Sequence, residues 1–447
     1  MTSFPLPSAP IRLAAVAVCA LMAAAPLRAQ SLLDVYEAAR GYDASYQAAL
    51  AQRDATLARA EQARAAILPT VGVGASASRT AMEVNVPVPT DRAYGTQTLG
   101  INASQPIYRP ANLATAEQGK KQAELAEAQL LRAEQDLIVR VSQAYFDVLS
   151  AREALNVVRA QKAAVSEQLA AAKRNFEVGT ATITDTREAQ ARYDLVLAQE
   201  LASENDLRVK QLALDQLVGK PNIDPKPLRQ PVSLPALTPA NIDAWVQQAL
   251  DAHPALRQAR IGLDVARLEL KKAEAGHLPT VDLTASYGVT RNINGSSMSM
   301  GSSRVTAGSI GVNFAVPVFA GYAIQNRVKE ALALETKAQS DLEAAQRTIA
   351  QATRAAFLGV QSGMAQVRAL EAAEQSSKTA LEANQLGYQV GVRINIDVLN
   401  AQSQLYQTQR DLAQARYSVL VGNLKLRQAS GVLKAEDLQP VNALLAP

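Results

Sequence analysis

Hydrophobic and polar positions along this chain follow three successive patterns, and the same succession occurs twice. Residues 32–67 and 241–277 read as helix, ending at Pro69 and Pro279, and His253-Pro254 is expected to break the second near its start. The period then changes to two. Val71, Val73, Ala75 and Ala77 alternate with Gly72, Gly74, Ser76 and Ser78, and Leu99, Ile101 and Ala103 resume the pattern. In the second half Val281, Leu283, Ala285, Tyr287 and Val289 alternate, as do Ile310, Val312, Phe314 and Val316. That period predicts strand. Each segment is about ten residues long, enough for a tilted strand to cross a bilayer, and polar loops 80–94 and 292–304 connect them. In the third pattern, 111–176 holds no proline and only Gly119. This predicts one helix about 100 Å long at 1.5 Å per residue. Residues 322–388 are comparable but are expected to be interrupted by Gly359, Gly363 and Gly387; turns at Gly179 and Gly391 then lead into shorter helices, 185–217 and 397–429.

The two halves match in sequence as well as in pattern. Ala66-Ile67-Leu68-Pro69 answers to Gly276-His277-Leu278-Pro279, Gln105-Pro106-Ile107-Tyr108 to Val316-Pro317-Val318-Phe319, Glu177-Val178-Gly179 to Gln389-Val390-Gly391, and Val218-Gly219 to Ser430-Gly431. A constant order of elements at an offset that drifts only from 210 to 212 residues marks an internal repeat. The expected organisation is a first unit over 30–219, a proline-rich linker over 220–240, a second unit over 241–432 and a tail over 433–447, with membrane strands near 69–108 and 279–319.

Composition narrows this picture. Aromatic residues make up 4% and charged residues 19% of the 447, which suits close helix packing better than a thick globular core. Arg12, the uncharged apolar run 13–25 and Leu27-Arg28-Ala29 predict a secretory signal peptide over 1–29. The single cysteine, Cys19, lies in that run, so no disulfide framework or cysteine metal site is expected. Removing Arg12 and Arg28 leaves 43 bases against 41 acids, and that balance gives no argument for nucleic acid.

No later stretch supplies some 20 consecutive apolar residues, so entry into a membrane requires strands in a closed barrel. Four strands per chain cannot close one, since bacterial barrels begin at about eight. Several chains must share it, two giving eight strands and three giving twelve. Helices this long need partners along their length, as in a coiled coil. Helical hairpins in a ring beneath such a barrel would form a continuous conduit.

The chain resembles the TolC family of outer-membrane efflux and secretion proteins. The resemblance is carried by His277-Leu278-Pro279-Thr280-Val281-Asp282-Leu283, Gly387-Tyr388-Gln389-Val390-Gly391, Asp397-Val398-Leu399-Asn400-Ala401, Ala415-Arg416-Tyr417 and Leu438-Gln439-Pro440-Val441-Asn442. It implies a mainly α protein with membrane β: a homotrimer with a twelve-stranded barrel in outer-membrane lipid above an α-helical tunnel. It implies a periplasmic adaptor and an inner-membrane ABC or RND transporter as partners, no cofactor and no catalysis. It favours the type I secretion and multidrug branch. It also places a gate network on Arg393, Thr184, Asp185 and Tyr388, and a pore constriction on Asp397. Where the family often has a second acid three residues on, this chain has Asn400.

Plainer roles compete for these residues. Asp185 and Asp397 stand where helices start after a turn, a favoured place for a capping acid, and Tyr388 fits a coiled-coil seam. Gly72-Val73-Gly74 lies in a strand and opens no helix, so it is no dinucleotide loop. His253 and His277 lack ligand spacing. Trp245 and the strand-end tyrosines suit packing or a membrane interface. A periplasmic adaptor would show one hairpin rather than two. A coiled-coil envelope scaffold leaves the four strands without a purpose.

Overall fold

The computed structural model describes residues 29–446 except 85–89, 230, 233 and 298. The signal peptide expected over 1–29, Cys19 included, therefore lies outside the described residues apart from Ala29. In chain order the elements are α1 (Leu32–Tyr42), α2 (Ala44–Ala65), β1 (Thr70–Val84), β2 (Thr90–Tyr108), α3 (Pro110–Glu177) and α4 (Ile183–Val218). The second succession is α5 (Ile242–Ala252), α6 (Pro254–Glu274), β3 (Thr280–Ile293), β4 (Ser303–Ala315), α7 (Ala323–Gln389) and α8 (Asn395–Ala429), followed by the short α9 (Leu438–Asn442).

Three sequence expectations are corrected. The helix expected over 32–67 is broken at Asp43, whose carboxylate accepts a hydrogen bond from the Tyr46 amide at 2.8 Å and is gripped by both terminal nitrogens of Arg140. It is the counterpart of the break at His253, but Ala44 stands where the second copy has a proline, so the cue was a capping acid alone. The glycines of α7 do not interrupt it: the helix runs unbroken for 67 residues. A glycine costs a packed helix only about 1 kcal/mol, and a Cβ at Gly363 would come within 3.0 Å of Val419 on α8. The strands are 13 to 19 residues long rather than about ten, and the loops correspondingly shorter. Polar residues expected in loops instead extend the ladder, Thr80 opposite Tyr94 and Asn292 opposite Ser303.

The sheet is antiparallel in the order β1-β2-β3-β4. Register gives it two chemically opposite faces. One carries Val71, Val73 and Ala75, then Ile101 and Leu99, then Ala285, Tyr287 and Val289, with Ile310, Val312 and Phe314 on β4. The other carries Gly72, Ser76, Asn102, Thr98, Thr284 and Ser286, with the Ser286 and Ser309 hydroxyls 2.9 Å apart. No described helix is long and apolar enough to cross a membrane. A sheet with one apolar face and one polar face can do so by turning the first to lipid and the second to water.

The helices form one layer. Close to the sheet, α3 packs between α2 and α6, and α6 packs on α7; further away α3 packs between α4 and α8, and α8 packs on α7. Val158, Val165 and Ala172, fully buried at seven-residue spacing, meet Ala189 and Val196 of α4 and Leu399 of α8. That is a coiled-coil seam. Near its middle the layer is belted by the largest core cluster, where Leu32, Tyr36, Tyr145, Phe146, Leu420 and Leu424 meet the tail residues Leu438 and Leu445. The proline-rich segment is held against this belt: Tyr145 donates to the Gln30 carbonyl and accepts from the Lys226 amide, and Leu228 bridges Leu445. Glu269 of α6 accepts from Gln118 of α3 and Arg327 of α7. Burial would push its carboxyl up, but those two donors and Lys272 hold it below the usual range.

Candidate functional site

Two features of this fold can do work: the polar face that would line a passage, and the hairpin tips at the end of the helical layer farthest from the sheet. Each tip is built by the same device. Gly179 and Gly391 sit at φ +78° and +79°, the left-handed conformation that lets a chain leave a helix while its last carbonyls are satisfied. The Thr180 amide returns to the Asn175 carbonyl, and the Val392 amide to the Gly387 carbonyl.

The four residues assigned to a gate converge on these tips but do not bond to one another within one chain. Asp185 is the third residue of a capping box: its Oδ2 accepts from the Thr182 amide at 2.9 Å and hydroxyl at 2.7 Å, and its own amide donates to Thr182. Its Oδ1 has no partner among the described residues. Thr184 is exposed. Tyr388 accepts from Asn175 Nδ2 at 3.3 Å, which leaves its hydroxyl proton free to donate. Arg393 is 58% exposed and lies 3.6 Å from Asp397, four residues on. Its stem crosses Gly387, where a Cβ would meet Arg393 Cγ at 2.7 Å. Asp397 is half-buried in the first turn of α8, and Asn400, exposed, accepts from Arg192 of α4 at 2.9 Å.

Sequence reasoning missed what joins the two tips. Asn395, the first residue of α8 and 1% exposed, accepts from Gln168 of α3 and donates to the Asp185 carbonyl. With Asn175–Tyr388 it makes a polar tie between the hairpins. The only local signal was an asparagine at a helix start, which reads as a cap. Thr182 could have been found: threonine followed three residues later by an acid is the capping-box pattern.

At the opposite end of the helices, Arg109, just before α3, forks onto Asp282 of β3, Nε to Oδ1 at 2.7 Å and Nη2 to Oδ2 at 2.5 Å. Asp282 is 4% exposed. This pair ties the start of α3 to β3.

Both edges of the structure are open on matching sides. β1 and β4 lack outer partners. Below them α2 and α4 end the layer on the β1 side and α7 ends it on the β4 side. These edges carry exposed apolar residues: Leu195, Leu201 and Leu212 on α4, and Leu332, Leu358 and Leu386 on α7.

The family model described as outer membrane efflux protein matches residues 35–220 and 245–432. "Outer membrane protein TolC" of Vibrio cholerae is 35% identical over 415 residues, covering 93% of this chain and 94% of that protein. "Alkaline protease secretion protein AprF" of Pseudomonas aeruginosa is 32% identical over 422 residues, covering 93% and 87%. Among solved structures, the outer membrane protein VceC of Vibrio cholerae superposes with a TM-score of 0.75 at 22% identity, over 90% of this chain and 96% of that one.

Proposed function

The chain belongs to the outer membrane efflux protein family, and we propose that three copies close into one barrel and one tunnel, gated at the hairpin tips and fed by an inner-membrane transporter through a periplasmic adaptor. The protein is an outer-membrane efflux and secretion channel of the TolC family, and it is not an enzyme. The observation that supports closure is the double open edge. An unpaired strand edge cannot persist in lipid, where nothing else satisfies its amides and carbonyls. Sheet and helix layer are open on the same two sides, so one head-to-tail contact repeated around an axis seals both. Three copies of the four-stranded sheet give twelve strands, within the range of outer-membrane barrels.

Ring closure is read by cross-linking. With Cys19 replaced, Ser76→Cys on β1 and Ser309→Cys on β4 should be joined by a short bifunctional maleimide into dimers and trimers, with nothing larger. A ladder ending at dimer, or continuing past trimer, rejects the threefold ring.

The gate reading rests on unsatisfied chemistry. Arg393 has only a loose partner in its own chain, Asp185 keeps one carboxylate oxygen free, and Tyr388 keeps a proton to donate. A neighbouring copy supplies what each lacks. Asp397 then forms a single ring of three carboxylates, since Asn400 replaces the second acid and is held by Arg192. The channel should be weakly cation-selective. Asn400→Asp should shift the reversal potential in a planar bilayer under a salt gradient towards the cation limit, and Asp397→Ala should remove the preference. Unchanged reversal potentials in both variants would reject Asp397 as the constriction. The likeness to alkaline protease secretion protein AprF supports a protein cargo; a small-molecule cargo would pass through the same lumen.

A further inference from the structure

The apolar face of the sheet ends in a row of a different kind. From Val281 to Val289 on β3 it covers nine residues, about 26 Å along the strand at 3.3 Å per residue, which at the tilt of a barrel strand reaches across most of the roughly 25 Å apolar band of an outer-membrane barrel. The next row outward on the same face is Ala77, Gln97, Arg291 and Arg304, each opposite the next. This is the end of the sheet remote from the helices, where β1 passes to β2 and β3 to β4.

Two arginines directly opposite each other on neighbouring strands repel, and no described residue neutralises them. Neither has a hydrogen bond or an ion pair among the described residues, and both are exposed. The sheet has three acids. Asp282 is taken by Arg109 at the other end. Glu83 and Asp91 face each other near the end of β1, and Glu83 lies six residues beyond Ala77, about 20 Å along the strand. The lumenal arginine, Arg92, is occupied by the Ser296 and Ser299 carbonyls. Beside the pair is an open depression of about 1010 Å³ floored by Leu99 and Val289 and bordered by Gln97, Arg291 and Arg304.

We propose that Arg291 and Arg304 form a binding site for the phosphate of a phosphorylated glycolipid in the outer leaflet, its acyl chains lying along the apolar face below. Two guanidinium forks present planar pairs of donors that match phosphate geometry, and the anion converts the cross-strand repulsion into a bridge. The apolar floor selects a lipid over a free ion. The site rests on the apolar face being turned to the membrane.

The test is native mass spectrometry and thermal unfolding of the delipidated trimer with bis-phosphorylated lipid A, fully dephosphorylated lipid A, or inorganic phosphate. Wild type should retain bis-phosphorylated lipid and unfold at higher temperature with it, and the other two probes should do neither. Arg291→Gln with Arg304→Gln should weaken lipid binding about a hundredfold, about tenfold for each guanidinium. Arg291→Lys, which keeps the charge and guards against a misfolded variant, should retain most of it. Equal binding by the double variant, or equal binding of dephosphorylated lipid, overturns the proposal. Stabilisation by inorganic phosphate alone makes this a free-anion site and also overturns it. Conductance of the wild-type preparation reports the channel separately: a conducting trimer that fails the lipid arms loses the site and keeps the channel.

Discussion

Arg393→Ser should raise the single-channel conductance of the reconstituted protein several-fold and lengthen its open periods. Arg393 is exposed, and its in-chain contact with Asp397 is long at 3.6 Å, so little in its own protomer opposes its leaving. In the ring proposed above it would face a neighbour's tip, where Asp185 would offer Oδ1. An exposed ion pair contributes up to about 1 kcal/mol, so three pairs that break together hold the closed state by about 3 kcal/mol. That is about a hundredfold in the ratio of closed to open channels, at 1.4 kcal/mol per tenfold. Serine cannot span the gap. Arg393→Lys should fall between, because a lysine keeps the charge without the fork. Raising the salt should open the wild type and leave the serine variant nearly unaffected, since screening acts on the pair that has been removed. A serine variant with wild-type conductance would remove Arg393 from the gate and leave the tips held by the Asn395 tie alone.

Arg109→Ala should lower the unfolding temperature of the trimer and its resistance to dissociation in detergent. The reason is asymmetry of burial: Asp282 is 4% exposed, whereas the arginine side chain is 44% exposed. Removing the arginine leaves a buried carboxylate with no counter-charge, which costs about 3–5 kcal/mol in such sites. The exposure of the lost partner places this pair at the lower end, about 3 kcal/mol. Replacing both partners, Arg109→Leu with Asp282→Leu, should recover much of the loss, because no charge remains stranded. Additive losses in the double variant would mean that the two side chains act independently, and that the strand-to-helix angle is set by the backbone bulge between Pro106 and Tyr108.

Much of the wall could be read in the sequence because it is written by local periodicity. Alternation by two fixed which residues of β1 to β4 share a face, and the long proline-free stretches fixed α3 and α7 almost to the residue. The break at Asp43 was less legible, since it depends on Arg140, 97 positions away, as much as on the capping acid. Glycine misled in the other direction. Gly363 suggests a weak point by propensity, yet it is a place where α7 packs closely against Val419 of α8.

The candidate site divides along the same line. The sequence by itself determined the repeat, the two-faced strands and the helical hairpins, because each follows from residue type at a short, regular spacing, whereas Arg393, Asp185, Tyr388 and Asp397 were singled out by the family resemblance of the motifs around them. Only the tertiary structure decided that Asp185 is committed on one oxygen to Thr182, that Arg393 lies across Gly387, that Asn395 ties one hairpin to the other, and that Arg291 and Arg304 stand opposite each other without an acid. These depend on which strand or helix lies beside which, and on register between segments as far as 227 residues apart. Local spacing encodes an element and its faces; the partner of a given side chain is chosen by packing, which no window of the sequence contains.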